Sequence, residues 1–449
     1  MKIVILLVLI LIVFISACQT QQELPSQTEQ SLVQEPTTPT PAVEQSPAPP
    51  QELIKEQTLP TPPKKQEEFK LIQPTLTYEG AYNGPLYDTS LQIGSEGDID
   101  IYFNTFDKNG LNFFIGYFKI DYPPNKDALL STRQFGYLLE GVQKHPERII
   151  PYISLSIPAD KVYTILGSAM TTRYKTNLET VQRLAGKDLV KGFGEIEAMD
   201  YTGYHVDSPE LIQIYDLAQE KNVNVMFHPG QGEASRVETL LKKYPEQTFL
   251  IHMYREDIVK DRQSYIRLLQ TYNNLYFSVD VDHMMHDGDT GLLYKYQDKT
   301  IPTAVSSFVM DYTKLEKPLL EGALEDYTPL INAAPTKVMW GTEMGPKYNF
   351  EPAVYDRMIK FSRLFIGKLD PTFQEGFAYK NALTVFGKGA TLETSLPLID
   401  ASNWPECNEA IIDQCDEEAR VCGPIESPEE EQCLDICMNK NKCLIPLED

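Results

Sequence analysis

Eight short apolar runs recur along the middle of the chain, with amphipathic segments between them. The runs are rich in β-branched and aromatic residues, which favours strands, and the segments between them have the spacing of helices. The runs are residues 85–93, 111–120, 148–157, 189–198, 222–230, 248–254, 274–282 and 337–344. Helices are predicted at 208–222, 236–246 and 260–274, the first opening with Asp207-Ser208-Pro209, a capping signal with proline at the helix start.

Eight strand–helix units predict an α/β fold, a (β/α)₈ TIM-like barrel. A doubly wound open sheet has the same local pattern and is the alternative. The number of strands and the placement of polar residues favour the barrel. Most of the runs end in a polar or ionisable residue: Gln92, Glu195, His228, His252, Asp280, Asp282 and Glu343. The carboxyl ends of barrel strands share one rim, where such side chains meet.

These segments resemble the amidohydrolase superfamily, and within it the amidohydrolase-related group that includes aminocarboxymuconate-semialdehyde decarboxylase-like proteins. The resemblance covers roughly residues 84–389. Its segments, in chain order, are GPLYDTSLQIG, GFGEIEA, VNVMFHPG, FLIHMY, VMWGTEMG and AYKNALTVFG. The resemblance implies a metal-dependent hydrolase or lyase that acts on C–N, C–O or C–C bonds of a small-molecule substrate.

Carried over to this sequence, the resemblance implies a divalent metal, zinc or else manganese or iron. The implied ligands are Glu195, His228, His252 and Glu343. His252 and Glu343 are also the implied catalytic residues, which handle the proton of an activated water. Arg255, three residues after His252, is a candidate for binding a substrate carboxylate; a surface salt bridge with a neighbouring acid is the alternative.

The first strand departs from the family pattern. The family has His-x-His where this chain has Ser90 and Gln92, and neither a hydroxyl nor an amide is a good zinc ligand. Two hypotheses follow: a metal site rebuilt from the remaining residues, or a barrel without metal that acts as a cell-surface binding module. His283-x-x-His286 has helical ligand spacing but is interpreted as a loop. It opens a long connection, 284–336, which is predicted to cover the rim.

The start of the chain predicts export. Residues 1–18 combine a lysine, an apolar run and Ile15-Ser16-Ala17-Cys18, which resembles the lipobox of prokaryotic lipoproteins. The resemblance implies a lipid on Cys18 and attachment to the outer face of the cell membrane; an uncleaved signal anchor is the alternative. Residues 19–70 are rich in Pro, Gln and Glu and predict a disordered tether.

The predicted barrel spans residues 71–400, and a cysteine-rich tail spans 401–449. The tail holds six of the seven cysteines, Cys407, Cys415, Cys422, Cys433, Cys437 and Cys443, which outside the cytoplasm predict three disulfides of open connectivity. A protein partner of this tail is not indicated. The net charge of −24 excludes nucleic-acid binding, which needs a basic face.

Overall fold

The computed structural model of the chain describes residues 70–92, 99–119, 133–154, 168–198, 204–287 and 290–392. All of them belong to one unit, Glu68–Asp449. The predicted signal sequence, tether and disulfide-bonded tail lie outside the described residues and stay predictions. Within the described residues, no helix combines the length and the apolar character that a membrane span requires.

Eight parallel strands form one sheet in the described part of the chain, and each strand pairs with the next in chain order. They are β1 (Leu86–Gln92), β2 (Leu111–Lys119), β3 (Ile149–Ser154), β4 (Gly192–Ala198), β5 (Asn224–Pro229), β6 (Phe249–Ile251), β7 (Leu275–Asp280) and β8 (Val338–Gly341). Each strand lies inside one of the eight predicted runs, so the strand prediction is confirmed.

The sheet closes on itself where β1 meets the residues just after β8. The amide of Glu343 donates to Ser90 O at 2.7 Å, and the amide of Gln92 donates to Met344 O at 2.9 Å. Below this ladder, the buried carboxylate of Asp88 accepts hydrogen bonds from the amide and the hydroxyl of Thr342, at 2.9 and 2.6 Å. The closure confirms the (β/α)₈ barrel and excludes the open sheet.

Helices connect the strands and cover the outside of the barrel. They are α1 (Ile99–Lys108), α2 (Arg133–Lys144), α3 (Ser168–Ala185), α4 (Pro209–Lys221), α5 (Ala234–Lys243), α6 (Arg255–Thr271), the single turn α7 (Val281–Met284), α8 (Ile301–Ala333), α9 (Pro352–Lys368), α10 (Pro371–Glu375) and α11 (Asn381–Phe386). A π-helical turn, Gly376–Lys380, joins the last two.

Two local predictions need correction. Helix α4 begins with Pro209 as predicted, but Ser208 does not cap it, because its hydroxyl accepts a hydrogen bond from the amide of His205 at 2.8 Å instead. Most of the connection predicted over 284–336 is the 33-residue helix α8. Apolar residues recur along it at helical spacing and bury one face, including Phe308, Tyr312 and Leu319.

A fully buried arginine joins two neighbouring segments of the barrel wall through hydrogen bonds. The guanidinium of Arg363, on α9, donates to Tyr82 O at 2.9 Å, to Gly84 O at 2.8 Å and to Asn109 O at 2.6 Å. These carbonyls precede β1 and β2, so one side chain fixes the entry of two neighbouring strands. The cationic fork fits this role because it supplies several donors in one plane.

We expect Arg363→Met to lower the free energy of unfolding by about 3 kcal/mol, because it leaves buried carbonyls without a donor. Urea denaturation measures the loss. Arg357→Met on the same helix is the matched control, since Arg357 donates to Ala353 O in an exposed position. Equal losses in the two variants would contradict the role of Arg363.

Candidate functional site

A cavity of about 520 Å³ opens at the carboxyl ends of the barrel strands. Gln92 of β1, Glu195 and Glu197 of β4, His228 of β5 and Glu343 after β8 line it. His252, directly after β6, lies fully buried beside them. The expected convergence of polar strand ends on one rim is therefore present in the structure.

The imidazole of His252 lies among three carboxylates. Its Nδ1 is hydrogen-bonded to Asp280 Oδ2 at 2.8 Å and lies 2.9 Å from Glu343 Oε2. Its Nε2 lies 2.9 Å from Glu195 Oε1, without the geometry of a hydrogen bond. Four strands thus bring ionisable groups to one point: β4 through Glu195 in its middle, and β6, β7 and β8 through residues at or just after their ends.

Burial by itself would lower the pKa of His252, but the charges of Glu343 and Glu195 and the hydrogen bond with Asp280 raise it well above its ordinary value. Burial likewise would raise the pKa of Glu343, but the His252 charge and the hydrogen bonds with His252 and Ser90 lower it below its ordinary value. In the protein without a bound ion, His252 and Glu343 therefore form an imidazolium–carboxylate pair.

This crowding raises the pKa of the other two carboxyl groups, Glu195 and Asp280. Burial and the charge of Glu343 raise the pKa of Glu195 to about 7, although His252 opposes the rise. Burial also raises the pKa of Asp280, against the hydrogen bond and charge of His252. One cation does not offset three buried carboxylates, so the centre attracts either protons or a further positive charge.

Two more histidines complete the cluster. His228 is buried, and neither of its ring nitrogens has a hydrogen-bond partner in the described part of the chain. Its ring centroid lies 5.0 Å from that of His252 and 5.9 Å from that of His283. Burial lowers the pKa of both residues, to about 3 for His283 and well below the ordinary value for His228. Both rings are therefore neutral and able to bind a cation.

The backbone after β8 holds Glu343 in an unusual conformation. Its φ of 55° is left-handed, which costs a side-chain-bearing residue about 1 kcal/mol. Ser90 Oγ donates to Glu343 Oε2 at 2.6 Å, and Tyr117 Oη donates to Oε1 at 3.1 Å. The carboxylate is thereby fixed, although it is one methylene longer than the aspartate that the family resemblance leads one to expect there.

A glycine in β4 permits the approach of Glu195. Gly194 has a φ of 139°, and a Cβ atom there would lie 2.4 Å from the carbonyl oxygen of Met226 in β5. No L-residue fits both the conformation and the space. This position is the one that turns the next residue, Glu195, towards His252.

The structure brings Glu195, His252 and Glu343 together, with ligand atoms within 4.8 Å of one another, so that they could hold one ion. His252, Asp280 and His283 form a second such group. Of the four predicted ligands, His228 lies in the same cluster of rings but in neither group. The described residues thus bring three of the four predicted ligands into one group, and the roles of all four as ligands and catalysts stay predictions.

Ser90 and Gln92 contact the site without acting as substitutes for histidine. The Ser90 hydroxyl donates its hydrogen bond to Glu343 Oε2, and Gln92 Nε2 donates to Tyr294 Oη at 3.4 Å. Arg255 is committed too: its Nε donates to Asp326 Oδ2 at 2.5 Å, and its Nη1 donates to His286 O at 3.3 Å. Its partner is therefore on α8, and neither neighbouring acid fills that role.

Sequence reasoning missed part of this site. It noted Asp280 only as a polar strand end and dismissed His283 as loop, yet both bear on the centre. His283 lies in the short helix α7 and is buried. The helical spacing between His283 and His286 was the signal in the sequence that could have identified this histidine. The helix that carries His283 has a single turn, which is too short to show a helical periodicity.

Fold and site together define a closed (β/α)₈ barrel with a buried histidine–carboxylate centre at the carboxyl ends of its strands. No protein-family model and no curated protein matches the sequence. Three solved structures illustrate the likeness of fold. A probable 2-pyrone-4,6-dicarboxylic acid hydrolase from Acinetobacter baumannii is 12% identical, with a TM-score of 0.40, over 67% of this chain and 99% of that one.

An amidohydrolase from Burkholderia multivorans with bound zinc is 10% identical, with a TM-score of 0.40, over 68% of this chain and 100% of the other. A dihydroxybenzoic acid decarboxylase from Polaromonas sp. JS666, with bound manganese and the inhibitor 2-nitroresorcinol, is 11% identical, with a TM-score of 0.37, over 68% and 97%. Similarity at this level assigns neither a family nor an activity to the chain.

We expect Gly194→Ala to destabilise the protein by more than about 2 kcal/mol, because it adds a backbone clash to an unfavourable φ. Gly232→Ala is the matched control: its φ is 81°, but no atom lies within 4 Å of the added Cβ. The control isolates the conformational penalty, about 1 kcal/mol. Chemical denaturation compares the two, and similar losses would mean that β5 does not restrict the space at Gly194.

Proposed function

We propose that the protein is a metal-dependent hydrolase or lyase of the amidohydrolase type. One observation carries the proposal: the fully buried imidazole of His252 has carboxylates from three other strands within 3 Å, an arrangement that packing alone does not require. Such a surplus of buried negative charge is costly unless a cation offsets it. Perturbed groups that converge in a cavity are also typical of catalytic sites.

The residues present fit a divalent transition metal. Imidazole nitrogens and carboxylate oxygens are ligands for zinc, manganese and iron. Both nitrogens of His228 and the Nε2 of His252 are buried without a hydrogen-bond partner in the described residues, so each of these rings has a nitrogen that could bind an ion. Glu195, His252, Glu343 and His228 are the proposed ligands, and Asp280 orients His252 through its Nδ1.

The chemistry that such an ion supplies is Lewis-acid activation of a carbonyl group and of the water that attacks it. In the chain itself, Glu343 is the proposed proton acceptor, because Ser90 and Tyr117 hold its carboxylate at a fixed position. Since ion binding would compete with its imidazolium proton, His252 would hold the ion through Nε2 and keep its remaining proton on Nδ1, beside Asp280. The burial of the centre excludes bulk water from these groups.

A second candidate is a barrel without catalytic metal that binds a ligand at the cell surface. The observation in its favour is Ser90, which donates to Glu343 and so satisfies one carboxylate oxygen without an ion. Under this reading the excess charge is neutralised by protons on Glu195 and Asp280. The two candidates differ in the metal content of the folded protein.

We expect the full-length protein, purified without chelator, to contain about one zinc, manganese or iron ion per chain. The His252→Ala and His228→Ala variants are expected to lose at least about tenfold in metal affinity. Inductively coupled plasma mass spectrometry measures the metal content of the wild type and of each variant across a series of added metal concentrations. Denaturation curves on the same samples show whether each protein is folded.

His205→Ala is the matched histidine control. His205 lies outside the cluster, half exposed, and its Nδ1 pairs with Glu233 at 2.9 Å. This variant is expected to retain the wild-type metal content. A folded wild-type protein without metal, also after incubation with each of the three ions, would eliminate the enzyme and leave the binding module.

The site is proposed to act outside the cytoplasm. The apolar leader, the lipobox-like Ile15–Cys18 and the concentration of cysteines in the tail support export and a lipid anchor on Cys18. The polar stretch that follows would hold the barrel away from the membrane surface. A disulfide-bonded tail would suit the same compartment.

We expect a radiolabelled fatty acid to be incorporated into the wild-type chain and not into Cys18→Ala, because the thiol is the proposed attachment point. Metabolic labelling in a bacterial host and membrane fractionation measure the effect. Cys407→Ala removes a thiol elsewhere and is the control. Equal labelling of the wild type and Cys18→Ala would contradict the anchor.

A further inference from the structure

The wall of the cavity carries an unusual charge. Five carboxyl groups line it, from Glu195, Glu197, Glu256, Asp282 and Glu343, whereas no lysine or arginine does so among the described residues. Arg255, the nearest candidate from the sequence, is engaged by Asp326 and by a backbone carbonyl. A carboxylate-bearing compound would therefore meet acidic groups and no lysine or arginine side chain in the described part of this wall.

Two buried side chains in this wall carry polar atoms without a hydrogen-bond partner in the described residues. Asp282, on α7, is 4% exposed, and its Oδ1 has no hydrogen-bond partner in the described residues. Gly291 faces it, where a Cβ atom would lie 2.5 Å from Oδ1. The glycine thus keeps space in front of the carboxylate. His228, with both ring nitrogens unpartnered, is the second such group.

We propose that the substrate of this site carries a protonated amino group, which Asp282 and Glu256 bind at the cavity wall, and that the cavity rejects anionic compounds. This inference names the substrate class of the proposed enzyme and so rests on the proposed function. An ammonium group supplies a donor to the unpartnered Oδ1 of Asp282 and a positive charge at a wall that has no lysine or arginine among the described residues.

An organic cation fits this part of the wall better than a second metal ion. Among the described residues, both groups with converging ligand atoms include His252, and neither contains Asp282 or Glu256. The carboxylates are instead distributed along the wall. Tyr254 and Tyr294 also line the cavity, and aromatic rings attract ammonium groups in addition to carboxylates.

Three amides of similar length test the inference, because they share one hydrolysable group and differ in charge at the far end. They are 6-aminohexanamide (cationic), hexanamide (neutral) and adipic acid monoamide (anionic). Isothermal titration calorimetry measures their binding to the full-length protein, both metal-replete and chelator-treated. We expect the cation to bind at least about tenfold more tightly than the neutral amide, and the anion more weakly than either.

Variants of the wall localise the effect. We expect Asp282→Asn to weaken binding of the cationic amide by about tenfold and to leave that of the neutral amide unchanged. Glu256→Gln is expected to act in the same direction; Glu256 is half exposed, so this variant remains informative if Asp282→Asn fails to fold. Glu321→Gln, on the exposed face of α8, removes one negative charge elsewhere and is the matched control.

The results separate this inference from the proposed function. Tight binding of the anion, or equal binding of cation and neutral amide, would overturn the substrate class even in a metal-loaded enzyme. A second metal ion per chain that is lost in Asp282→Asn would overturn it as well. Absence of metal would overturn the enzyme, while a preference for the cation in the same protein would preserve the charge selectivity.

Discussion

The ladder between the first and last barrel strands determines what the site contains. Two backbone hydrogen bonds join the residues around Ser90 to those around Glu343, and Asp88 reinforces them through Thr342. Without this closure the sheet would be open, and the ends of β1 and β8 would lie on opposite edges. Because it closes, the Ser90 hydroxyl reaches a carboxylate 253 positions away in the chain.

The site is a balance between burial and charge. Burial opposes ionisation of every group in it, yet His252 and Glu343 stabilise each other's charged forms. The remaining carboxyl groups have no cation of their own, and burial together with the charge of Glu343 raises the pKa of Glu195 to about 7. The same imbalance makes the centre a candidate for a metal ion and makes the outer wall a candidate for an organic cation. Both proposals follow from one excess of negative charge.

The strands could be predicted from the sequence because each is a short apolar run with a distinct beginning and end. The convergence of Glu195, His252 and Glu343 also followed, since strand ends of a barrel share a rim. Helix α8 was missed because Pro318 and Pro329 interrupt its pattern, as they lie inside the helix. Asp282 was visible as a polar end of a run, but its position opposite Gly291 and the pairing of Arg255 with Asp326 depend on contacts that no local pattern records.

Four of the six histidines of the chain are gathered in this one cavity: His228, His252, His283 and His286. Neighbouring rings lie 5.0 to 6.3 Å apart. Each ring current therefore acts on the next, and the imidazole protons form a natural spectroscopic reporter. In a protein of this size, a handful of resolved signals in a nuclear magnetic resonance spectrum would read out the state of the whole centre, with His145 and His205 as internal references.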